Sequence, residues 1–310
     1  MKKYQLLSAA IAAACLSTTA AAEAQFGASL EINTDAVNAT STTFDQNGHV
    51  EVSAASTKTM GDKFVEGKGV IRLTTDGGTA IQDVYLKVGN SSWDAQVGRF
   101  EAVNLFPLGK DVMVSHAGSS VYGANKARGR AGDDGGQLAI HFKPSDAVSV
   151  ELGTMIGDDD TAGDNGSAIS AFRPTVTFAA DGFSVTAGME VLNYDLTAGG
   201  SKEVTGYGIT TNFMAGDASI NLSYASLDDD SANQETNSFA ANATMGDFGV
   251  GLIYSDDDTA GTETDVTTAY AAYSMPVLDI DGATMTLAGS VSESGGADTT
   301  ALRLRFNYSF

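Results

Sequence analysis

The feature that most constrains this chain is a hydrophobic alternation of period two that recurs in segments of about ten residues. Phe183, Val185, Ala187, Met189 and Val191 alternate with Ser184, Thr186, Gly188 and Glu190. Ile220, Leu222 and Tyr224 repeat the spacing, as do Phe248, Val250, Leu252 and Tyr254, and then Met285, Leu287 and Val291. The last segment is the clearest: Leu302, Leu304, Phe306, Tyr308 and Phe310 stand against Arg303, Arg305, Asn307 and Ser309. Side chains that alternate in this way lie on opposite faces of a β-strand. Gly, Asp and Asn punctuate the segments, and no helical period competes with them.

Alternation alone fits both a soluble sandwich, whose apolar face points to a core, and a transmembrane barrel, whose apolar face meets lipid. Three observations favour the barrel. Tight turns such as Ala180-Asp181-Gly182, Ala215-Gly216-Asp217 and Gly246-Asp247 alternate with longer acidic connections, expected at 157–167, 195–203, 228–236 and 256–262. The inward set is small and polar, which suits a wet interior. The chain also closes on an aromatic strand ending in Phe310, similar to the assembly signal of bacterial outer-membrane proteins.

Strands are expected near 26–35, 49–58, 64–75, 81–89, 93–100, 136–144, 147–156, 168–179, 183–194, 204–214, 218–227, 237–245, 248–255, 264–274, 283–292 and 300–310. The expected fold is all-β, a transmembrane antiparallel β-barrel of about sixteen strands, a size that leaves an aqueous channel.

Lys2 and Lys3, the apolar run Leu6 to Leu16 and the A-x-A sequence Ala22-Glu23-Ala24 read as a signal peptide over 1–24, with the barrel domain at 25–310. A lipidated Cys15 is the alternative at this end, but Ala12 stands where such signals carry Leu. Without residues 1–24 the chain has no cysteine and is more acidic still than the −22 of the full sequence. That charge excludes nucleic acid as a partner. The mean hydropathy of −0.05 excludes a bundle of membrane helices.

The interval 100–135 lacks sustained alternation, and an irregular connection of that length is usually functional. The strands before it, Val84-Tyr85-Leu86-Lys87-Val88-Gly89-Asn90 and Trp93-Asp94-Ala95-Gln96-Val97-Gly98-Arg99, resemble the paired strands of Gram-negative general porins. The strand after it, Gly135-Gly136-Gln137-Leu138-Ala139-Ile140, preceded by Gly129-Arg130-Ala131, is similar to that family's return strand. The resemblance implies a third loop folded into the barrel and an eyelet where acidic loop residues face basic wall residues. Carried onto this sequence, it places Glu101 and Asp111 as eyelet carboxylates, with Arg99 and Arg130 flanking the loop, Arg128 beside Arg130, and Arg72 on an earlier strand. It also implies a homotrimer in outer-membrane lipid and lipopolysaccharide, inserted by the barrel-assembly machinery.

The charge map points the same way. From Pro144 to Leu302 the only basic residues are Arg173 and Lys202, whereas nine fall between Lys68 and Lys143 and two, Arg303 and Arg305, stand on the last strand. Alternation puts Lys68, Arg72, Arg303 and Arg305 on the lumen face. A first strand paired to the last would join them into one sector, because a charge facing lipid at mid-depth costs about 2–4 kcal/mol.

The acidic runs Asp158–Asp160, Asp228–Asp230 and Asp256–Asp258 lack the ligand spacing of a calcium loop and are expected to be solvated; no metal or other cofactor is expected. His49, His116 and His141 show no catalytic spacing, so an enzyme is not expected. The function implied is passive diffusion of small hydrophilic solutes and ions. A carbohydrate-specific channel is the alternative, and a β-rich adhesin without a pore the more distant one.

Overall fold

The computed structural model of the protein describes residues 24–111, 121–131, 135–157, 170–195 and 200–310. The proposed signal segment, Cys15, His116 and the run Asp158–Asp160 lie outside the described residues. Sixteen strands form one closed antiparallel barrel. They are β1 (Gln25–Asn38), β2 (Thr42–Met60), β3 (Lys63–Thr74), β4 (Thr79–Gly89), β5 (Trp93–Arg99), β6 (Gly136–Ser145), β7 (Val148–Ile156) and β8 (Ser170–Ala180). The second half holds β9 (Phe183–Asp195), β10 (Ser201–Ala215), β11 (Ala218–Asp229), β12 (Gln234–Met245), β13 (Phe248–Thr259), β14 (Thr262–Pro276), β15 (Ala283–Ser294) and β16 (Ala297–Ser309).

Every expected strand is found. Each pairs with its sequence neighbours, and β1 closes on β16 from Ser29 opposite Ser309 to Asn38 opposite Thr300. Closure removes both sheet edges, which hydrocarbon would otherwise leave unsatisfied. The outward members of the alternation, among them Phe239, Leu252, Val291, Leu302 and Phe306, are exposed. Their inward neighbours are Ser238, Ser255, Thr268, Ser290 and Ser292, joined by hydroxyl pairs such as Ser238–Ser255 at 2.7 Å and Thr268–Ser292 at 2.8 Å.

Two expected connections are corrected. The segments 228–236 and 256–262 are not long loops: β11 runs to Asp229, β12 begins at Gln234, and Ala260-Gly261 alone joins β13 to β14. The acidic residues continue the ladder, with Asp228 opposite Glu235 and Asp258 opposite Glu263. Inward Asp257 accepts hydrogen bonds from Thr236 and Gln234 at 2.7 Å. Outside the apolar band both strand faces can be polar, so the loss of hydrophobic alternation there marks the membrane boundary and not the end of the strand.

The buried apolar cluster sits inside the barrel, on one side. Leu105, Phe106, Tyr122 and Ala124 of the β5–β6 connection pack on Leu192, Val204, Ala225, Leu227, Ala240, Ile253 and Tyr270 of β9 to β14. The covered wall carries apolar side chains together with buried Arg173 and Glu190. The inward residues of β1 to β5 and β16 stand outside this apolar cluster.

Candidate functional site

The ascending arm of the long connection follows the inner wall strand by strand. Leu105 lies against Gly188 of β9 and Gly208 of β10. The carbonyl of Pro107 accepts from Asn242 Nδ2 at 2.8 Å on β12, and that of Leu108 accepts from the Tyr270 hydroxyl at 2.5 Å on β14. Lys110 Nζ donates to the Asp247 carbonyl at 2.7 Å. Asp111 then arrives at the last strand, its Oδ1 3.4 Å from Arg305 Nη1 and 3.6 Å from Arg303 Nη1.

Glycines in the wall make this path possible. A methyl group on Gly188 would come within 2.7 Å of Arg128 Nη2, one on Gly208 within 3.0 Å of Leu105 and Ala124, and one on Gly249 within 2.7 Å of Lys110. On Gly206 it would collide with the Tyr122 hydroxyl. These inward glycines form the groove in which the loop is seated.

The returning arm is held by buried charge. The Glu190 carboxylate, fully buried, accepts from the Tyr122 hydroxyl at 2.6 Å and from the backbone N–H groups of Lys126 at 3.0 Å and Ala127 at 2.9 Å. Arg173, also fully buried, donates to the carbonyls of Ala127 at 2.5 Å and Gly129 at 3.2 Å and lies over the Phe100 ring. Burial beside this carboxylate pushes the Tyr122 hydroxyl far above its usual range. At the neck, Gln137 accepts from the Phe100 N–H and donates to the Gly129 carbonyl, both at 2.7 Å.

Of the eight charged residues expected at the eyelet, six stand in ion pairs on the inner wall or between the wall and the loop. Glu101 and Arg130, from the two feet of the loop, pair at 2.5 Å, and Arg130 Nε also reaches Asp83 at 2.8 Å. A β-bulge on β4, where the register shifts opposite Gly69 and Ile71, accompanies the inward placement of Asp83. Arg303 and Arg305 reach Asp111 from β16, and Arg72 pairs with Glu51 at 2.7 Å.

The other two lie elsewhere. Arg128 is buried; it donates to Thr175 Oγ1 at 2.7 Å and to the carbonyls of Met189 at 2.9 Å, Pro174 at 3.2 Å and Val103 at 3.3 Å. Burial lowers its pKa. Arg99 stands opposite Val84, on the face of exposed Val97, and its Nε donates to the carbonyls of Ile81 and Gln82 beside the bulge.

The wall is also more balanced than the sequence suggested. Arg303 pairs with Asp35 at 2.7 Å, Arg305 lies 3.4 Å from Glu31, and Lys68 lies 3.1 Å from Asp83. The β1–β16 register brings acids of β1 directly beside the bases of β16. The opening is thus lined by a lattice of ion pairs, with Asp111 added from the loop. Asp111 itself adopts a left-handed backbone conformation (φ 40°), and its two carboxylate oxygens are buried without a hydrogen-bond partner among the described residues. Burial raises its pKa; Arg305 and Arg303 oppose that shift.

Among the described residues, no group of three or more His, Cys, Asp and Glu is arranged to hold a metal ion.

A closed sixteen-strand barrel with residues of its β5–β6 connection packed on the inner wall narrows the field, and the family profile "Porin-like glycoporin RafY" matches residues 15–310. The chain belongs to this porin family. The fold agrees. The anion-selective porin from Comamonas acidovorans superposes with a TM-score of 0.72 at 12% identity, over 93% of this chain and 99% of that one. The Salmonella typhi OmpF complex with daunomycin gives 0.70 at 13% identity, over 93% and 97%. The trimer form of Vibrio cholerae OmpT gives 0.69 at 14% identity, over 93% and 99%. No curated protein sequence matches. As a porin, the protein is an integral outer-membrane channel for passive diffusion.

Proposed function

We propose that this porin admits small hydrophilic solutes through an eyelet bounded by Asp111, Arg303 and Arg305 on one side and by Glu101, Arg130, Asp83 and Lys68 on the other, with Arg72 and Glu51 between them. The observation that carries the reading is the placement of the loop carboxylate of Asp111 against the two arginines of the last strand. Fixed charges of both signs replace part of a solute's hydration at the narrowest point without holding it tightly, which is what conduction requires. The chain performs no covalent chemistry in this reading. Its acidic surface, net −22, concentrates cations before they reach the constriction, so cations are favoured at low salt and the preference fades as salt screens it.

The working unit in this proposal is a homotrimer, in keeping with the trimer form of OmpT. Residues 1–24 are removed on export, the barrel-assembly machinery inserts the strand ending at Phe310, and lipopolysaccharide surrounds the outer rim. A second reading, carbohydrate selectivity, is favoured by the description of the matching family as a glycoporin. The paired lattice supports it in part, since ion pairs offer donors and acceptors to hydroxyl groups while presenting little net charge.

Single-channel recording in a planar bilayer tests both. Stepwise triplet openings with a weak cation preference in a low-salt gradient support the general porin. Conductance that saturates and is blocked by oligosaccharides supports the second reading, and an anion preference at low salt overturns the proposed role of the acidic surface.

A further inference from the structure

A second cavity, of about 420 Å³, lies beside the eyelet under the feet of the loop. Its back wall is formed by β4 to β8 and its roof by residues Glu101 to Val103. The strands behind it join through the short connections 90–92 and 146–147, the kind of turn that faces the periplasm in porin barrels.

The carboxylates of this cavity are all engaged. Glu101 is paired with Arg130. His141 lies between Asp94, 2.6 Å from Nδ1, and Glu151, 3.2 Å from Nε2. An imidazole that faces a carboxylate oxygen from each nitrogen can donate to both only in its protonated form. Glu151 also accepts from the Val103 N–H at 3.4 Å and lies 4.0 Å from Arg128 Nη1.

The lysines are not engaged. Lys87 and Lys143 both line the cavity, and neither has a carboxylate within 4.0 Å among the described residues. The contrast with the rest of the inner wall is direct: Lys68, Arg72, Arg303 and Arg305 each have an acidic partner. Lys87 stands opposite Glu66 in the β3–β4 ladder, where the Glu66 carboxylate accepts from the Tyr85 hydroxyl at 2.8 Å, and the Lys87 ammonium group lies 5.9 Å from the Tyr85 ring centroid. Two lysines with no carboxylate within 4.0 Å among the described residues thus line one recess, whose own carboxylates are taken by Arg130 and His141.

We propose that this recess is a weak subsite for small oxyanions, inorganic phosphate or a phosphomonoester, held between Lys87 and Lys143 on the periplasmic side of the eyelet. The proposal rests on the channel reading and adds to it a place where a permeating anion dwells. Phosphate oxygens would take the ammonium donors that no side chain of the wall takes, and the open mouth of the recess keeps the hold weak enough for release.

The test is the KCl current through single channels of the full-length protein, recorded while inorganic phosphate is added to one side at constant KCl and pH. The expected result is a saturating fall in current, seen at lower phosphate on the short-turn side. In Lys87→Gln/Lys143→Gln the apparent affinity for phosphate drops about tenfold or more while channels still open in KCl. Heat-modifiable migration of the variant confirms that its barrel is folded. Normal openings in KCl without any phosphate effect overturn the subsite and leave the channel intact. Equal phosphate block in wild type and double variant also overturns it, placing the anion at the eyelet arginines instead. Absence of openings from folded protein removes the channel reading and the subsite with it.

Discussion

Asp111 Oδ1 lies 3.4 Å from Arg305 Nη1, so the ascending arm of the connection between β5 and β6 reaches the closing strand of the barrel. This contact fixes one edge of the opening, because the loop on one side and the wall on the other cannot move independently while it persists.

Replacement of Asp111 by Asn removes the carboxylate that the loop sets beside Arg303 and Arg305 and leaves them with Asp35 and Glu31 as acidic partners. The expected outcome is a shift of reversal potential toward anions, with a permeability ratio changed a few-fold. An unchanged ratio would place Asp111 outside the ion path.

The same residue gives the channel a pH dependence of known sign. Burial raises the Asp111 pKa, so its folded-state value lies above that of an aspartate in water. The neutral form is favoured by the fold; its contribution to stability is full below the unfolded pKa and is lost as pH rises through the folded value. Cation preference should therefore fall on acidification with a midpoint above the ordinary aspartate range, and Asp111→Asn should abolish that step. A midpoint at or below the ordinary range contradicts the assignment.

Arg130 and Arg128 should separate in function although they are two residues apart. Arg130→Ala releases Asp83 and Glu101 into the opening, and the reversal potential should move toward cations with little loss of stability. Arg128→Ala removes donors to three wall and loop carbonyls and to Thr175. It should lower the temperature of heat modification and broaden the conductance distribution. Equal selectivity changes in the two variants would show that both line the path.

Glu190→Ala strips the returning arm of its carboxylate anchor and leaves Glu151 as the buried acidic neighbour of Arg128. Breaking a buried charge cluster from one side costs on the order of 3–5 kcal/mol. The expected readouts are an earlier transition in denaturant and larger, noisier single-channel currents as the loop leaves its groove. A Gly206→Val variant should give the same current phenotype by collision with Tyr122, without removing any charge.

The barrel was legible because lipid on one side and water on the other impose a strict period of two, seen at its plainest in Leu302 to Phe310. The β1–β16 seam followed from closure alone. The external ends were not legible, since Asp228 and Asp258 occupy strand positions where neither face needs to be apolar. The loop was harder to read. It has no period, so spacing could not say that Arg130 faces the opening while Arg128 is buried among carbonyls. Arg173 and Glu190 looked like ordinary lumen charges, because what buries them is a segment distant in sequence. A faint sign was present in Gly188, Gly206 and Gly208, inward positions without side chains between outward Met189, Tyr207 and Ile209, which leave room for another chain segment.

The seam between the first and last strands has a consequence for how the molecule comes into being. Ala28 and Phe310 exchange backbone hydrogen bonds in both directions at 2.9 Å, so the final residue of the chain completes the first strand's ladder. The seam joins strands far apart in sequence, so it cannot form before β16 has been made, and non-local contacts of this kind are slow to form. Until then both end strands present unpaired edges to their surroundings. A sheet whose β1–β16 seam stays open carries two edges able to pair with another chain, so closing that seam is what makes the barrel a self-contained unit.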